Sequence, residues 1–433
     1  MYNSDLYRRI RNEVDKIQII DTHEHLMPPN ELVKVGKIDF GQLFAGYARC
    51  DLISAGMPSE DMEKVPDRKS DWSVMRKWLA LKPYWERSWN TAYCECLRIA
   101  FKDLYGIEDL RDDSVEEISA KMDAADRQSW IRNVFDRAGI EMAMLNVNIA
   151  PVYLRERYPD LFLHDMGDDF TTLGRIPDMR EETGLPIDSL GSFLQAVDWY
   201  FKQFADEACA LKIGRAYDRT LFFDDVDEPD ASRIFERFLK ESLSKNEIRP
   251  LEDFIVHYCL EKCAEYDLPV KFHTGLQEGN GNEIKNSRAG LMTNLFLKHP
   301  KTRFDIFHIS WPYTEELIAI CKNFPNVYVD FCWAWIFNPP AARRYLGDML
   351  ETVPLNKIHG FGGDFGCVVG TYGHSVIARR EISRVLTEKV ESGRFSEEFA
   401  VRAAQRILRE NVMENFRIQE KRELYAQRAE AQR

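Results

Sequence analysis

The residues best suited to chemistry are His23 and His25. They close the run Ile19-Ile20-Asp21-Thr22-His23-Glu24-His25-Leu26, which begins with β-branched residues and stops at Met27-Pro28-Pro29. Such a run reads as a short buried strand that ends abruptly. Side chains two apart on a strand point to the same side. Both imidazoles therefore leave the strand end together and can grip one divalent cation through ring nitrogens. Further along, Arg175, Lys212, His273, His308 and Asp364 each stand near the C-terminal end of an apolar run. His23, His25, His273 and His308 with Asp364 make an N₄O donor set suited to zinc or a similar divalent ion. Singly each has a plainer reading: a core or turn histidine, a helix N-cap for Asp364, a snorkelling lysine for Lys212. Their shared position carries the functional one.

The runs that position them recur with helical stretches between. After the opening strand come 140–147, a weaker run at 170–176, then 208–214, 268–275, 303–310, 326–332 and 357–364. Their near-continuous apolar character suits parallel strands covered on both faces. Eight such units predict a (β/α)₈ TIM barrel, an α/β fold whose active sites sit at the C-terminal strand ends. An open doubly wound sheet is the alternative. Residues 27–135 hold no convincing strand but many aromatics, among them Trp72, Trp78, Tyr84, Trp85, Trp89 and Tyr93. This predicts a large helical insertion after strand one, with some aromatics roofing a pocket. Residues 1–18 read as a helix and 396–433 as C-terminal helices, the charged tail from 418 solvated or loosely docked. The whole, 1–433, is read as a single domain. Asp165, Asp168 and Asp169 read as a solvated loop. His164, His257, His299 and His359 read as structural, with His374 the exception.

With 433 residues, 45% hydrophobic, the chain can bury a large core. A net charge of −13 without a basic run argues against nucleic acid. No apolar run approaches membrane-spanning length, and the N-terminal residues lack a signal-peptide core. Nine scattered cysteines fit a reduced, cytoplasmic setting better than a disulfide framework.

The ordered motifs Asp21-Thr22-His23-Glu24-His25, Leu211-Lys212-Ile213-Gly214, Lys271-Phe272-His273-Thr274-Gly275, Phe307-His308-Ile309-Ser310 and Gly363-Asp364 resemble those of the amidohydrolase superfamily, specifically its amidohydrolase-related metal-dependent hydrolases. Ile407-Leu408-Arg409-Glu410-Asn411 is similar to that family's final helix. The resemblance implies that His23 and His25 bind a metal with Asp364, and that His273 and His308 complete the set. It also implies a carboxylated Lys212 bridging two ions or, unmodified, a substrate contact, so one or two zinc ions are expected. Uronate isomerases, from the same superfamily, also carry a helical insertion after strand one. Segment 85–107, Arg175-Ile176-Pro177-Asp178, and Tyr372-Gly373-His374-Ser375 with Arg379-Arg380 resemble theirs. The likeness makes Arg175 a carboxylate clamp and adds His374 as a substrate contact. Gly362-Gly363-Asp364-Phe365-Gly366 lacks the arginine that follows their aspartate, and His308 is more hydrolase-like.

Hydrolysis of a C–N amide or of a lactone or ester in a small carboxylated substrate is therefore the main expectation. The metal would activate water, Asp364 would accept its proton, and His273 or His308 would polarise or ligate. Aldose–ketose isomerisation of an acid sugar is the alternative, and non-oxidative decarboxylation a more distant one. A barrel that only binds a ligand is the non-catalytic reading. The partner is a small molecule, and self-association is expected because barrels of this kind often form homo-oligomers.

Overall fold

The computed structural model describes residues 4–147 and 158–431. The eight strands are β1 (Ile19–Glu24), β2 (Ile140–Val147), β3 (Phe162–Gly167), β4 (Leu211–Ile213), β5 (Val270–Phe272), β6 (Phe304–Ile306), β7 (Val327–Asp330) and β8 (Ile358–His359). They join one sheet in strict chain order, β1 through β8, and the pairings from β3 to β7 are parallel. Sequential parallel strands with helical crossovers are the (β/α)₈ TIM-barrel arrangement the apolar runs predicted. Between Glu24 and Ile140 every regular element among the described residues is helical, as expected of the insertion. No helix among the described residues is long and apolar enough to cross a membrane.

The chain packs as two compact units, one of Met1–Ala143, Glu278–Asn282 and Phe331–Asn411, the other of Met144–Gln277, Glu283–Asp330 and Val412–Arg433. In the first, the predicted N-terminal helix is Asp5–Lys16, capped by the Ser4 side chain, which accepts from the Tyr7 N–H; the three residues before Ser4 lie outside the described residues. The last turn of this helix and that of Trp130–Ala138 leave carbonyls unpaired by their own helices. The buried Arg379 guanidinium gathers them. It donates to the carbonyls of Val14, Ile17, Ala138 and Gly139. One cation thus ties together the chain entering β1 and the chain entering β2.

In the second unit three expectations are corrected. The third strand is Phe162–Gly167, not 170–176. Residues 169–175 form two 3₁₀ turns leading into the helix Ile176–Thr183, so Arg175 caps a helix rather than ending a strand. The true strand escaped notice because His164 and Asp165 interrupt its apolar run. Nor is the acidic run a solvated loop. Lys271 Nζ donates to both Asp165 oxygens at 2.7 and 3.0 Å, both side chains fully buried, and Asp168 pairs with Arg215 at 3.3 Å. The tail is firmly docked: in the helix Ile418–Ala431, Tyr425 is buried with its hydroxyl 2.7 Å from His164 Nδ1, and Lys421 Nζ donates to the carbonyls of Ala205 and Asp206. The last two residues of the predicted 396–433 segment lie outside the described residues.

His257 and His299 are buried, with His257 Nδ1 2.7 Å from His299 Nε2. Burial, then the neighbouring His257 and Lys298 charges, push the His299 pKa down to about 4. The unfolded chain binds a proton near the ordinary 6.5, whereas the folded chain refuses it until about 4. Stability should therefore fall as pH drops from about 6.5 towards 4. His299→Gln should flatten that part of the Tm–pH profile; parallel profiles for variant and parent would refute the assignment.

Candidate functional site

In the first unit the site is assembled by pairing β1 with the segment after β8. The Thr22 N–H donates to the Phe361 carbonyl at 3.1 Å, Asp364 N–H to the His23 carbonyl at 2.8 Å and His25 N–H to the Phe365 carbonyl at 3.0 Å. Two further acids of the motif lock the register. Asp21 Oδ1 accepts from His23 and Gly363 N–H, each at 3.0 Å, and Glu24 Oε2 accepts from Phe365 N–H at 2.7 Å. Burial raises the pKa of Asp21 to about 7 and that of Glu24 well above the carboxylate range. Only glycine fits at 363, because a Cβ there would stand 1.9 Å from Glu24 Oε1.

This backbone brings three predicted ligands together. Asp364 Oδ1 lies 3.6 Å from His23 Nε2 and 3.1 Å from His25 Nε2. One donor atom from each residue lies within 4.8 Å of the others. His23 and Asp364 are buried, while the His25 side chain is 38% exposed. Two imidazoles and a carboxylate at this spacing fit a divalent cation with room left for an exogenous oxygen. Asp364 itself adopts a left-handed φ of 59°, a conformation that costs energy for a non-glycine residue and clusters at functional sites.

His374 stands behind this loop on the helix Val368–Glu391, fully buried, its Nδ1–H donating to the Gly363 carbonyl at 3.2 Å. Burial pushes its pKa down to about 3, so the ring is neutral. Aromatics that spacing alone did not single out form a wall on the same unit. Trp333 stacks on Tyr47 at 4.2 Å, and Tyr47 meets Phe365, the residue after Asp364, at 5.5 Å. Tyr93, from the predicted aromatic set, lies parallel to Trp333 at 6.4 Å.

In the second unit Lys212 lies on β4, in register with Gly167 on β3 and Lys271 on β5. Its ammonium sits 4.0 Å from the centroid of the Phe307 ring, and its charge stabilises the Asp165 and Asp168 carboxylates. His273 follows β5 and His308 follows β6, with His308 Nε2 and His273 Nδ1 3.1 Å apart. His273 Nε2 lies 3.1 Å from the Leu276 carbonyl. A carbonyl can only accept, so this nitrogen carries the proton and Nδ1 accepts from His308. His308, Ile309 and Ser310 all adopt left-handed φ, 61°, 47° and 50°. Such a stretch persists only where surroundings impose it. Here Thr274 Oγ1 donates to the Phe307 carbonyl, and Ser310 Oγ accepts from Ala289 N–H. Arg175 is engaged by Asp178 at 3.0 Å and Glu182 at 2.9 Å.

The amidohydrolase family profile matches residues 191–411, just over half of the chain. Uronate isomerase of Thermotoga maritima is 21% identical over 89% of this chain and 91% of its own. Its crystal structure superposes with a TM-score of 0.79 at 18% identity, over 95% and 97% of the two chains. Glucuronate isomerase from Caulobacter crescentus gives 0.79 at 17% identity, over 95% and 94%. Protein fluG of Emericella nidulans is 28% identical over 43% of this chain, but that match spans only 23% of fluG. The structural likenesses establish the TIM-barrel fold. The full-length relatives overturn the main expectation of a hydrolase and favour the stated alternative, because they are isomerases. The metal-ligand motifs misled here: they are common to the superfamily and do not encode the reaction. By its family profile, this chain belongs to the amidohydrolase family.

Proposed function

We propose that this chain is a metal-dependent isomerase that interconverts the aldose and ketose forms of a uronate-type acid sugar. The observation that carries the reading is the His23, His25 and Asp364 cluster in a chain whose full-length relatives are uronate isomerases. These three residues would hold a divalent ion, zinc by the chemistry of the donor set. When bound, the ion supplies Lewis acidity towards a carbonyl and its neighbouring hydroxyl. Asp364 takes the C2 proton of the aldose and returns it at C1, while the O2 proton passes to O1, so composition is unchanged. A carboxylate suits this task because it is placed beside the chelating imidazoles, where it can accept and return a proton.

We assign one ion to this cluster. A second ion bridged through Lys212 would need an anionic carbamate there, and that group would face the Asp165 and Asp168 charges and the π face of Phe307. As an ammonium, Lys212 is favoured by all three. The hydrogen-bonded His273 and His308 pair stands at the strand ends where barrels place catalytic groups and can pass a proton. Arg175, its guanidinium shared between two acids, and His374, bonded to Gly363, are assigned as positioning groups.

The test is proton NMR of metal-loaded protein with a panel of uronates. Loss of the aldose anomeric signal and appearance of ketose resonances are expected. In heavy water, deuterium at C1 of the ketose would report proton transfer through the protein. If no uronate is converted by protein with a full complement of ion, the proposal fails.

A further inference from the structure

A cavity of about 470 Å³ lies within the first unit, in the range of small-molecule sites. Its apolar walls include Leu26, Ile38, Trp130 and Val368, and two cations, Arg68 and Lys69, line it. Leu26 directly follows His25, and Val368 opens the helix that follows the Asp364 loop. The metal-binding atoms are not among its lining. Both cations are exposed, and among the described residues no carboxylate pairs with either. Asp67 lines the cavity beside them, but its Oδ1 accepts from the Lys69 N–H at 2.8 Å and it makes no ion pair with either cation. In a chain of net charge −13, two adjacent cations against the single Asp67 carboxylate leave the cavity wall with a net positive charge. Nothing in the proposed isomerisation uses this space, and a sugar acid, polar on every face, would not fill apolar walls.

We propose that this cavity binds a small amphipathic organic anion, its apolar body among Leu26, Ile38, Trp130 and Val368 and its charged end on Arg68 and Lys69. The occupant is a ligand separate from the sugar. Guanidinium and ammonium both favour carboxylate or phosphate, and the apolar lining selects an alkyl or aryl chain over a hydroxylated one.

The probe is 4-phenylbutyrate, titrated calorimetrically into the full chain with and without its metal. Saturable binding at one site per chain is expected, and it should persist after chelation of the metal. The neutral 4-phenylbutanamide should bind at least ~10-fold more weakly, as should phenylbutyrate to an Arg68→Gln/Lys69→Gln variant, the equivalent of about 1.4 kcal/mol. Both positions are exposed, so that variant should fold, and its Tm checks this. Ile38→Trp, which fills the cavity, should abolish binding. Hexyl phosphate in place of phenylbutyrate distinguishes a phosphate ligand from a carboxylate, and tighter binding of either supports the site. Binding lost on chelation would place the carboxylate on the metal and overturn the proposal. So would equal affinity for acid and amide, or a double variant that binds like the parent. None of these outcomes depends on isomerase activity, so failure here leaves the NMR test of isomerisation untouched.

Discussion

Replacing Asp364 with asparagine is expected to lower kcat by about 10²–10⁴-fold, the usual loss when a positioned proton acceptor is removed. The substitution preserves shape and removes charge. The backbone bond from the 364 N–H to the His23 carbonyl remains, as do those from the His23 and Gly363 N–H groups to Asp21 Oδ1, so the fold and Tm should change little. The neutral amide oxygen is a poorer donor to a hard cation than a carboxylate, so metal content should also fall, measurably by elemental analysis. Excess zinc should refill the site without restoring turnover, because the proton acceptor stays absent. His23→Ala, by contrast, removes a buried member of the proposed chelate, and activity should then track occupancy as zinc is raised. Parent-like turnover by fully loaded Asp364→Asn would show that another group moves the proton.

The largest expected stability effect lies at Lys271. Its ammonium and the Asp165 carboxylate are both completely buried. Lys271→Met leaves that carboxylate without its partner, a change that costs about 3–5 kcal/mol in comparable settings. The Lys212 charge, which also acts on Asp165, should hold the loss towards the lower end. Removing both charges with Lys271→Met/Asp165→Leu should recover the deficit, and such replacements are often neutral or stabilising by about 1–4 kcal/mol. Urea denaturation of the two single variants and the double variant gives the coupling directly. If the double variant is less stable than Lys271→Met alone, the pair is not the source of the cost.

Much of the candidate site was legible because a parallel barrel strand is an apolar run with its polar residues at one end. His23, His25, Lys212, His273, His308 and Asp364 could be found by that rule alone. It failed where a strand keeps its polar residues inside. In β3, His164 and Asp165 meet Tyr425 and Lys271, partners 261 and 106 residues away, and no local pattern encodes so distant a pairing. The 170–176 run misled for the opposite reason. It is apolar, but its backbone turns into 3₁₀ helices, with Phe170 packed on Tyr200 at 5.0 Å. The roles of Asp21 and Glu24 as register locks and the left-handed stretch at His308 arise from approaches between distant segments. The reaction itself was illegible in the ligands, because one chelating set serves both hydrolysis and isomerisation.

The pairing of β1 with the segment after β8 also has a consequence on the ribosome. Glu24 and Phe365, joined by a hydrogen bond, are separated by 341 residues. At ~5–20 residues per second the interval between their syntheses is roughly 20–70 s. Throughout it the two emerging histidines have no carboxylate to complete their chelate, and β1 has no closing neighbour. On the proposed assignment, metal capture would belong to the last stage of biogenesis, after nearly the entire polypeptide has been made, and a message truncated before codon 364 would yield a product lacking the proposed carboxylate ligand.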